Sequence, residues 1–159
     1  MKGEANTLSA RILACLPNGA YAGAGIFTGG QPAQSGFALL SSWGIRRIVD
    51  LRPRDEDRAF NEAEAAERAQ MEYFRIPVGA APDLTLARAR ELDGLLKGPS
   101  RPTLVLCASS NGVGALFTLR AAWLQGEPLE SALVIGRATG LRGLEPAVRA
   151  VLLNSGQSL

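Results

Sequence analysis

The chain has 159 residues, of which 47% are hydrophobic and 20% are charged, so we expect a globular protein with a buried core rather than a disordered chain. A formal net charge of +2, without a basic cluster or interleaved aromatic residues, argues against nucleic acid as a partner. Histidine is absent, which excludes Ser-His-Asp and Cys-His catalysis.

The sequence shows no sign of a membrane span, a disulfide framework or a metal site. No apolar run approaches the roughly 20 residues that cross a bilayer, so we expect no membrane contact. Two cysteines, Cys15 and Cys107, without any spacing typical of zinc, predict no disulfide, metal or cofactor. The stretch ARILACLPNGAYAG is broken by Pro17 and Asn18. We interpret it as mature sequence and expect a cytoplasmic protein, unless an export signal precedes it.

Short β-type runs alternate with stretches of helical character along the chain. In order, the predicted elements are a strand at 25–32, a helix at 34–44, a strand at 45–52, a helix at 56–70, a strand at 71–78, a helix at 84–98, a strand at 102–106 and helices at 113–126, 128–140 and 144–154. The run 102–106 is continuously apolar, as in a strand buried on both faces. The segment 113–126 is apolar nearly all round, which predicts a buried central helix.

This alternation predicts an α/β fold, with a mostly parallel central sheet flanked by helices. No repeat, linker or change in composition divides the chain, so we expect a single domain over 1–159, in which 1–20 is the candidate for a loosely attached segment. The stretch GAGIFTGG lacks the glycine spacing and the strand-then-helix context of a dinucleotide site.

Cys107 stands where a buried strand is predicted to end, which is the edge at which open α/β sheets bind ligands. The residues that follow are all small or polar: Ala108, Ser109, Ser110, Asn111 and Gly112. Their N–H groups can turn inward as an anion-binding nest at the positive end of the next helix. We expect this environment to lower the pKa of the Cys107 thiol. The alternative is that Cys107 is simply a small buried hydrophobic residue.

The segments FTGGQP, GIRRIVDLRP, YFRIPV, PTLVLCASSNGVGAL and GRATGL occur in this order. Together they resemble a bacterial phosphatase-like family related to tyrosine and dual-specificity phosphatases, which also occurs as a domain attached to beta-lactamase-like hydrolases. The resemblance covers roughly residues 25–150. It implies a cysteine-phosphatase fold in which Cys107 attacks phosphorus, a phosphocysteine forms, and the loop 108–112 holds the phosphate oxygens.

The chain departs from this family at two positions of the loop. Leu106 stands where the family often has histidine, and Gly112 aligns with the family's loop arginine. The spacing typical of the wider phosphatase superfamily places that arginine at Val113 instead, so neither alignment of the loop supplies an arginine. An arginine of this kind is worth about 10³ to 10⁵ in the rate of phosphoryl transfer, or about 4 to 7 kcal/mol. Because the backbone nest does not need this side chain, we expect anion binding with weak or absent turnover.

Asp83 lies on the loop where the resemblance implies the general acid. The alternative is that Asp83 or Thr85 caps the helix predicted to start near 84.

Arg52 and Arg54 follow a predicted strand and are candidates to replace the missing arginine in binding phosphate. The alternative is that they pair with nearby carboxylates on a solvated surface, namely Asp55, Glu56 or Asp57. We expect Arg137 to take part in structural pairing and Cys15 to serve in packing.

The leading hypothesis is therefore a cysteine-dependent phosphatase-like domain that hydrolyses phosphomonoesters through Cys107, with weak or lost activity. The second is a non-catalytic module, and for both the expected partner is a phosphorylated protein or a small phosphate or oxyanion ligand. The third is a rhodanese-like sulfurtransferase in which Cys107 carries a persulfide.

Overall fold

The computed structural model describes residues 2–53, 60–97 and 101–157, and their side chains from 7 to 154. The helices and strands in chain order are α1 (Lys2–Ala14), β1 (Ala20–Gly23), β2 (Ile26–Gly30), α2 (Gly36–Ser42), β3 (Arg47–Asp50), α3 (Glu62–Arg68), β4 (Glu72–Arg75), α4 (Leu86–Leu96), β5 (Thr103–Cys107), α5 (Asn111–Leu124), α6 (Leu129–Ala138) and α7 (Glu145–Gln157). A single 3₁₀ turn, Ala81–Asp83, precedes α4.

The sheet has the strand order β1-β2-β5-β3-β4, with β1 antiparallel to β2 and the other pairs parallel. The predicted α/β fold with a mostly parallel sheet is confirmed. All five residues of β5 are buried, as expected for the central strand. The sequence analysis predicted neither α1 nor β1. The strand β1 has four residues, three of them Ala or Gly, which have little intrinsic preference for a sheet.

Side chains of the central strand alternate between two hydrophobic clusters, one on each face of the sheet. Val105 and Cys107 belong to the cluster covered by α4, α5, α6 and α7. Leu104 and Leu106 belong to the other cluster, which includes residues of α1, α2 and α3. Because side chains in a strand alternate with period two, a continuous apolar run can supply both clusters at once.

The chain before β1 contributes to the second cluster. Ile12 and Leu16 are buried in it. The carbonyl oxygen of Pro17 accepts a hydrogen bond from the N–H of Gly30 at the end of β2, at 2.6 Å. The part of the segment 1–20 that these contacts involve is therefore held against the sheet rather than loosely attached.

Neither a membrane helix nor a metal cluster occurs in the part of the chain that the structure describes. No described helix is long and apolar enough to cross a bilayer. No group of three or more His, Cys, Asp or Glu side chains among the described residues could hold a metal ion.

The predicted burial of the central helix is confirmed: α5 is buried almost continuously from Gly112 to Leu119. Its contact with α6 depends on Gly114. A Cβ atom at this position would lie 2.6 Å from the carbonyl oxygen of Gly136 and closer still to the backbone nitrogen of Leu141. Both are backbone atoms, so the two helices could accommodate a side chain only by moving apart.

We expect Gly114→Ala to lower the free energy of unfolding by about 1–3 kcal/mol, because it overpacks this contact. The matched control is Gly94→Ala in α4, where a Cβ would meet no atom within 4 Å. There, alanine is expected to raise the free energy of unfolding by about 0.5–1 kcal/mol through its better helix propensity. Urea denaturation followed by circular dichroism measures both, and equal stability of the two variants would contradict the close α5–α6 contact.

Candidate functional site

The loop between β5 and α5 folds around the sulfur of Cys107. Cys107 is 6% exposed at the end of β5. The backbone N–H groups of four residues after it face Sγ and favour its ionised form: Val113, Ser109, Gly112 and Ser110. Three of these residues, Ser109, Ser110 and Gly112, belong to the predicted loop 108–112, and the group lies at the N-terminus of α5, where the helix dipole adds positive potential.

The expected lowering of the Cys107 pKa is wrong. Burial at the end of the central strand raises the pKa of the Cys107 thiol above its ordinary value of 9.0. The hydrogen bonds from the loop amides act in the opposite direction but do not outweigh the loss of hydration. At neutral pH the sulfur is therefore mainly protonated when nothing else occupies the loop.

The turn at Ser110 allows the loop to close. Ser110 has a φ of 75°, in the left-handed region that residues with a side chain seldom adopt. Its buried side chain donates a hydrogen bond from Oγ to the carbonyl oxygen of Thr139, at 2.8 Å. The connection between α6 and α7 thus holds the loop in a conformation that costs about 1–3 kcal/mol by itself.

Asn111 ties the same connection to the loop from the other side. Its Oδ1 accepts hydrogen bonds from the N–H of Arg142, at 2.9 Å, and from the N–H of Leu144, at 3.3 Å. Asn18, in the turn before β1, donates from Nδ2 to the carbonyl oxygen of Ser109, at 3.1 Å. Two distant parts of the chain, the turn before β1 and the connection between α6 and α7, therefore meet at the loop.

A pocket of about 140 Å³ opens beside the sulfur. Its walls include Cys107 together with Ala108, Ser109, Asn111 and Gly112 of the predicted loop. The remaining lining residues are Pro53, Val78, Gly79 and Leu144. The structure thus brings four of the five predicted loop residues to one small cavity, with Ser110 buried beneath them.

Asp83 lies beside this pocket rather than in it. Its Oδ2 accepts hydrogen bonds from the N–H groups of Gly79, at 2.7 Å, and Ala80, at 3.3 Å, and its Oδ1 lies 3.4 Å from Arg88. The bond from Gly79, then that from Ala80 and the charge of Arg88, hold the pKa of Asp83 below its ordinary value. These contacts favour an ionised, structural carboxylate, and the general-acid role stays a prediction that they disfavour. The helix cap is supplied by Thr85, whose Oγ1 accepts from the N–H of Arg88.

Arg52 is not on a solvated surface, which corrects the expectation for its surroundings. Its side chain is fully buried, and the guanidinium pairs with Asp50, at 3.2 Å, and with Glu62, at 3.3 Å. It is not among the residues that line the pocket beside Cys107. A phosphate-binding role for Arg52 would require breaking two buried ion pairs, which is strongly unfavourable.

These buried groups form a network that joins β3, α3 and β4. Tyr73 donates a hydrogen bond to Asp50 Oδ2, at 2.5 Å. Burial opposes ionisation of Asp50, but its interactions with Glu62, Arg52 and Tyr73 outweigh this effect and hold the pKa of Asp50 below its ordinary value. These contacts favour a structural role for Arg52, and its phosphate-binding role stays a prediction that they disfavour.

The remaining residues considered from the sequence are Arg137, Cys15 and Arg54. Arg137 pairs with Glu145 through two hydrogen bonds, at 2.8 and 2.9 Å, as the structural interpretation expected, and this pair lowers the pKa of Glu145 to about 2. Cys15 is half-buried against the second hydrophobic cluster. Arg54 and its expected partners at 55–57 lie outside the described residues.

Sequence reasoning missed Asn18, Val78, Arg142 and Leu144. None carries a local signal, because each reaches the loop only through contacts that span tens of residues along the chain. The stretch GRATGL pointed to the right region, since Thr139 and Gly140 adjoin Ser110.

Solved structures share this fold. A candidate phosphatase (DUF442) from Shewanella putrefaciens CN-32 aligns with a TM-score of 0.68 and 19% identity over 93% of this chain and 97% of that chain. A candidate phosphatase from Neisseria meningitidis Z2491 aligns with a TM-score of 0.69 and 20% identity, covering 86% and 96%. TpbA of P. aeruginosa, in complex with phosphotyrosine, aligns with a TM-score of 0.62 and 15% identity, covering 84% and 82%.

No curated protein matches the sequence. A family model described as "DSP-PTPase phosphatase fused to NAD+ Kinase" (PTP-NADK) matches residues 20–141, which is most of the chain. This match agrees with the order of the strands, with the cysteine at the end of the central strand and with the loop of amides that follows. The chain therefore belongs to the PTP-NADK family of phosphatases related to the dual-specificity and tyrosine phosphatases.

Proposed function

We propose that this protein binds phosphomonoesters in the loop 108–112 and hydrolyses them through Cys107 slowly or not at all. The observation that carries the proposal is the set of four backbone N–H groups that converge on Cys107 Sγ. Donors in this arrangement surround the position at which an oxyanion would sit, at the positive end of α5.

The size of the cavity fits this ligand. Ligand pockets for whole drug-sized molecules have about 300–1,000 Å³, so a cavity of 140 Å³ suits a phosphate group alone. A larger cavity of about 570 Å³ shares Pro53 with the first and includes Asp83 and Arg88 in its walls. It offers space for the alcohol or phenol that carries the phosphate.

Hydrolysis at this site would take two steps. The thiolate of Cys107 attacks phosphorus, a sulfur–phosphorus bond forms and the phosphorus–oxygen bond to the leaving alcohol breaks, and the leaving oxygen takes up a proton. Water then attacks the phosphocysteine, which releases inorganic phosphate and restores the thiol. Each step needs charge stabilisation on the phosphate oxygens, which the loop amides supply.

Two features slow this chemistry. The thiol is mainly protonated at neutral pH, since burial raises its pKa. In addition, Gly112 and Val113 supply no guanidinium to the loop, and such a group is worth about 10³ to 10⁵ in rate. Both features favour the second candidate function, a module that binds a phosphorylated partner without turnover.

The partner we infer is a phosphorylated protein or a small phosphate ligand. The phosphotyrosine complex of TpbA supports a phosphorylated ligand for this fold. Sulfur transfer is the weakest candidate, because a persulfide on Cys107 would also need cationic loop residues. A persulfide on Cys107 after thiosulfate treatment would favour it.

We expect alkylation of Cys107 by iodoacetamide to be slow at neutral pH and to rise as the pH passes the ordinary thiol value of 9.0, because only the thiolate reacts. Inorganic phosphate should slow the reaction at every pH. The experiment uses a Cys15→Ser variant, in which Cys107 is the only cysteine. Mass spectrometry measures the rate, and the urea-unfolded chain is the reference. A folded protein that is alkylated at lower pH than the unfolded reference would contradict the raised pKa.

We expect Gly112→Arg to increase Cys107-dependent hydrolysis of an aryl phosphate by about 10³-fold or more, because it restores the loop guanidinium. A Cβ at this position would lie 3.7 Å from Cys107 Sγ and from Val78, which is ordinary contact, so the loop accepts a Cβ atom here without a shift of the backbone.

Gly112→Gln is the matched control for this experiment, since it adds a long polar side chain without charge, and Cys107→Ser is the blank. If Gly112→Arg does not exceed Gly112→Gln, or if the unmodified protein already turns over rapidly, the missing arginine does not limit the activity.

A further inference from the structure

Arg142 is an exposed arginine that contacts the loop 108–112 although it lies 30 residues beyond it in the sequence. We propose that Arg142, in the connection between α6 and α7, supplies to the bound phosphate the guanidinium that residues 112 and 113 lack. This inference rests on the proposed phosphate site. It assigns to that site a further ligand-binding residue, which lies outside the cysteine loop in the sequence.

The backbone of Arg142 is fixed against the loop. Its N–H donates to Asn111 Oδ1, at 2.9 Å, and Asn111 lines the pocket beside the sulfur. Leu144, two residues further on, donates to the same oxygen and also lines the pocket. The backbone of Arg142 is therefore held next to Asn111 and close in sequence to Leu144, two residues that line the cavity, whatever conformation its side chain adopts.

The side chain of Arg142 extends along the loop. Its Nη2 lies 3.4 Å from Asn18 Oδ1, and Asn18 Nδ2 donates to the carbonyl oxygen of Ser109, at 3.1 Å. One asparagine side chain thus separates the guanidinium from a residue that lines the pocket. A hydrogen bond of 3.4 Å between a guanidinium and a neutral amide is long, and the shorter charge-assisted bonds to a phosphate are stronger.

The charge of Arg142 is also available. Among the described residues, no carboxylate lies within ion-pair distance of it, whereas Arg52, Arg88 and Arg137 are each paired with one. The side chain is exposed, so it can change rotamer without disturbing the core. A guanidinium without a carboxylate partner, beside a nest of inward-facing amides, suits a site for a doubly charged anion.

The test measures the binding of inorganic phosphate by the amide chemical shifts of loop residues 109–113. Arg142→Gln is expected to weaken binding about tenfold, through the loss of charge-assisted hydrogen bonds. The substitution keeps the backbone N–H of residue 142, which donates to Asn111 Oδ1, so the loop keeps this hydrogen bond. Arg142→Lys should recover part of the affinity, since it keeps the charge without the two-pronged geometry.

Arg46→Gln is the matched control. Arg46 is exposed and precedes β3, at the end of the strands opposite to Cys107. It donates to the carbonyl oxygens of Ser41 and Ile45 rather than to a carboxylate. The substitution Arg46→Gln removes the same charge at a distance over which salt screens it, so we expect less than about a twofold change in affinity. In the Gly112→Arg background, the effect of Arg142→Gln should shrink, because the two arginines would bind the same anion.

Failure of this inference and failure of the proposed function give different results. If phosphate shifts the loop amides of the unmodified protein and Arg142→Gln behaves like Arg46→Gln, the role of Arg142 is overturned and the phosphate site stands. If phosphate leaves the loop amides of the unmodified protein unchanged, the proposed function itself is overturned, and the role of Arg142 with it.

Discussion

The site depends on one constrained turn, at Ser110. Ser110 adopts the left-handed conformation there, and its hydroxyl group donates a hydrogen bond to the carbonyl oxygen of Thr139. This turn directs the N–H groups on either side of it toward Cys107 Sγ. The connection between α6 and α7 must pass close by, and Gly140 permits this, because a Cβ there would lie 2.5 Å from Ser110. The close contact of α5 with α6 at Gly114 brings the connection to this position.

Placing the loop inside the fold has a chemical consequence. The same burial that excludes water and strengthens the amide donors raises the pKa of the thiol they surround. A guanidinium in the loop would offset this cost by adding a full positive charge, and residues 112 and 113 do not provide one. This combination is the physical basis of our proposal that the site binds phosphomonoesters and hydrolyses them slowly or not at all.

Arg52 and Arg142 differ in their surroundings. Arg52 belongs to the buried network with Asp50, Glu62 and Tyr73, which joins the edge strand β4 to the sheet. Removing one member would leave charge buried without a partner, so this network stabilises the sheet edge. Arg142, in contrast, gives little to the fold through its side chain, which leaves its charge free for binding.

The sequence alone determined the α/β fold, the central buried strand and the cysteine loop, because these follow from local patterns. An apolar run of five residues supplies both faces of a sheet, and five small or polar residues after it can form a nest of N–H groups. The tertiary structure decided the rest. Burial raised the pKa of the Cys107 thiol. Arg52 formed ion pairs with Asp50 and Glu62, and Asp83 accepted hydrogen bonds from two backbone N–H groups near it in sequence. The position of Arg142 depends on a contact with Asn111, 31 residues away, and no local pattern encodes it.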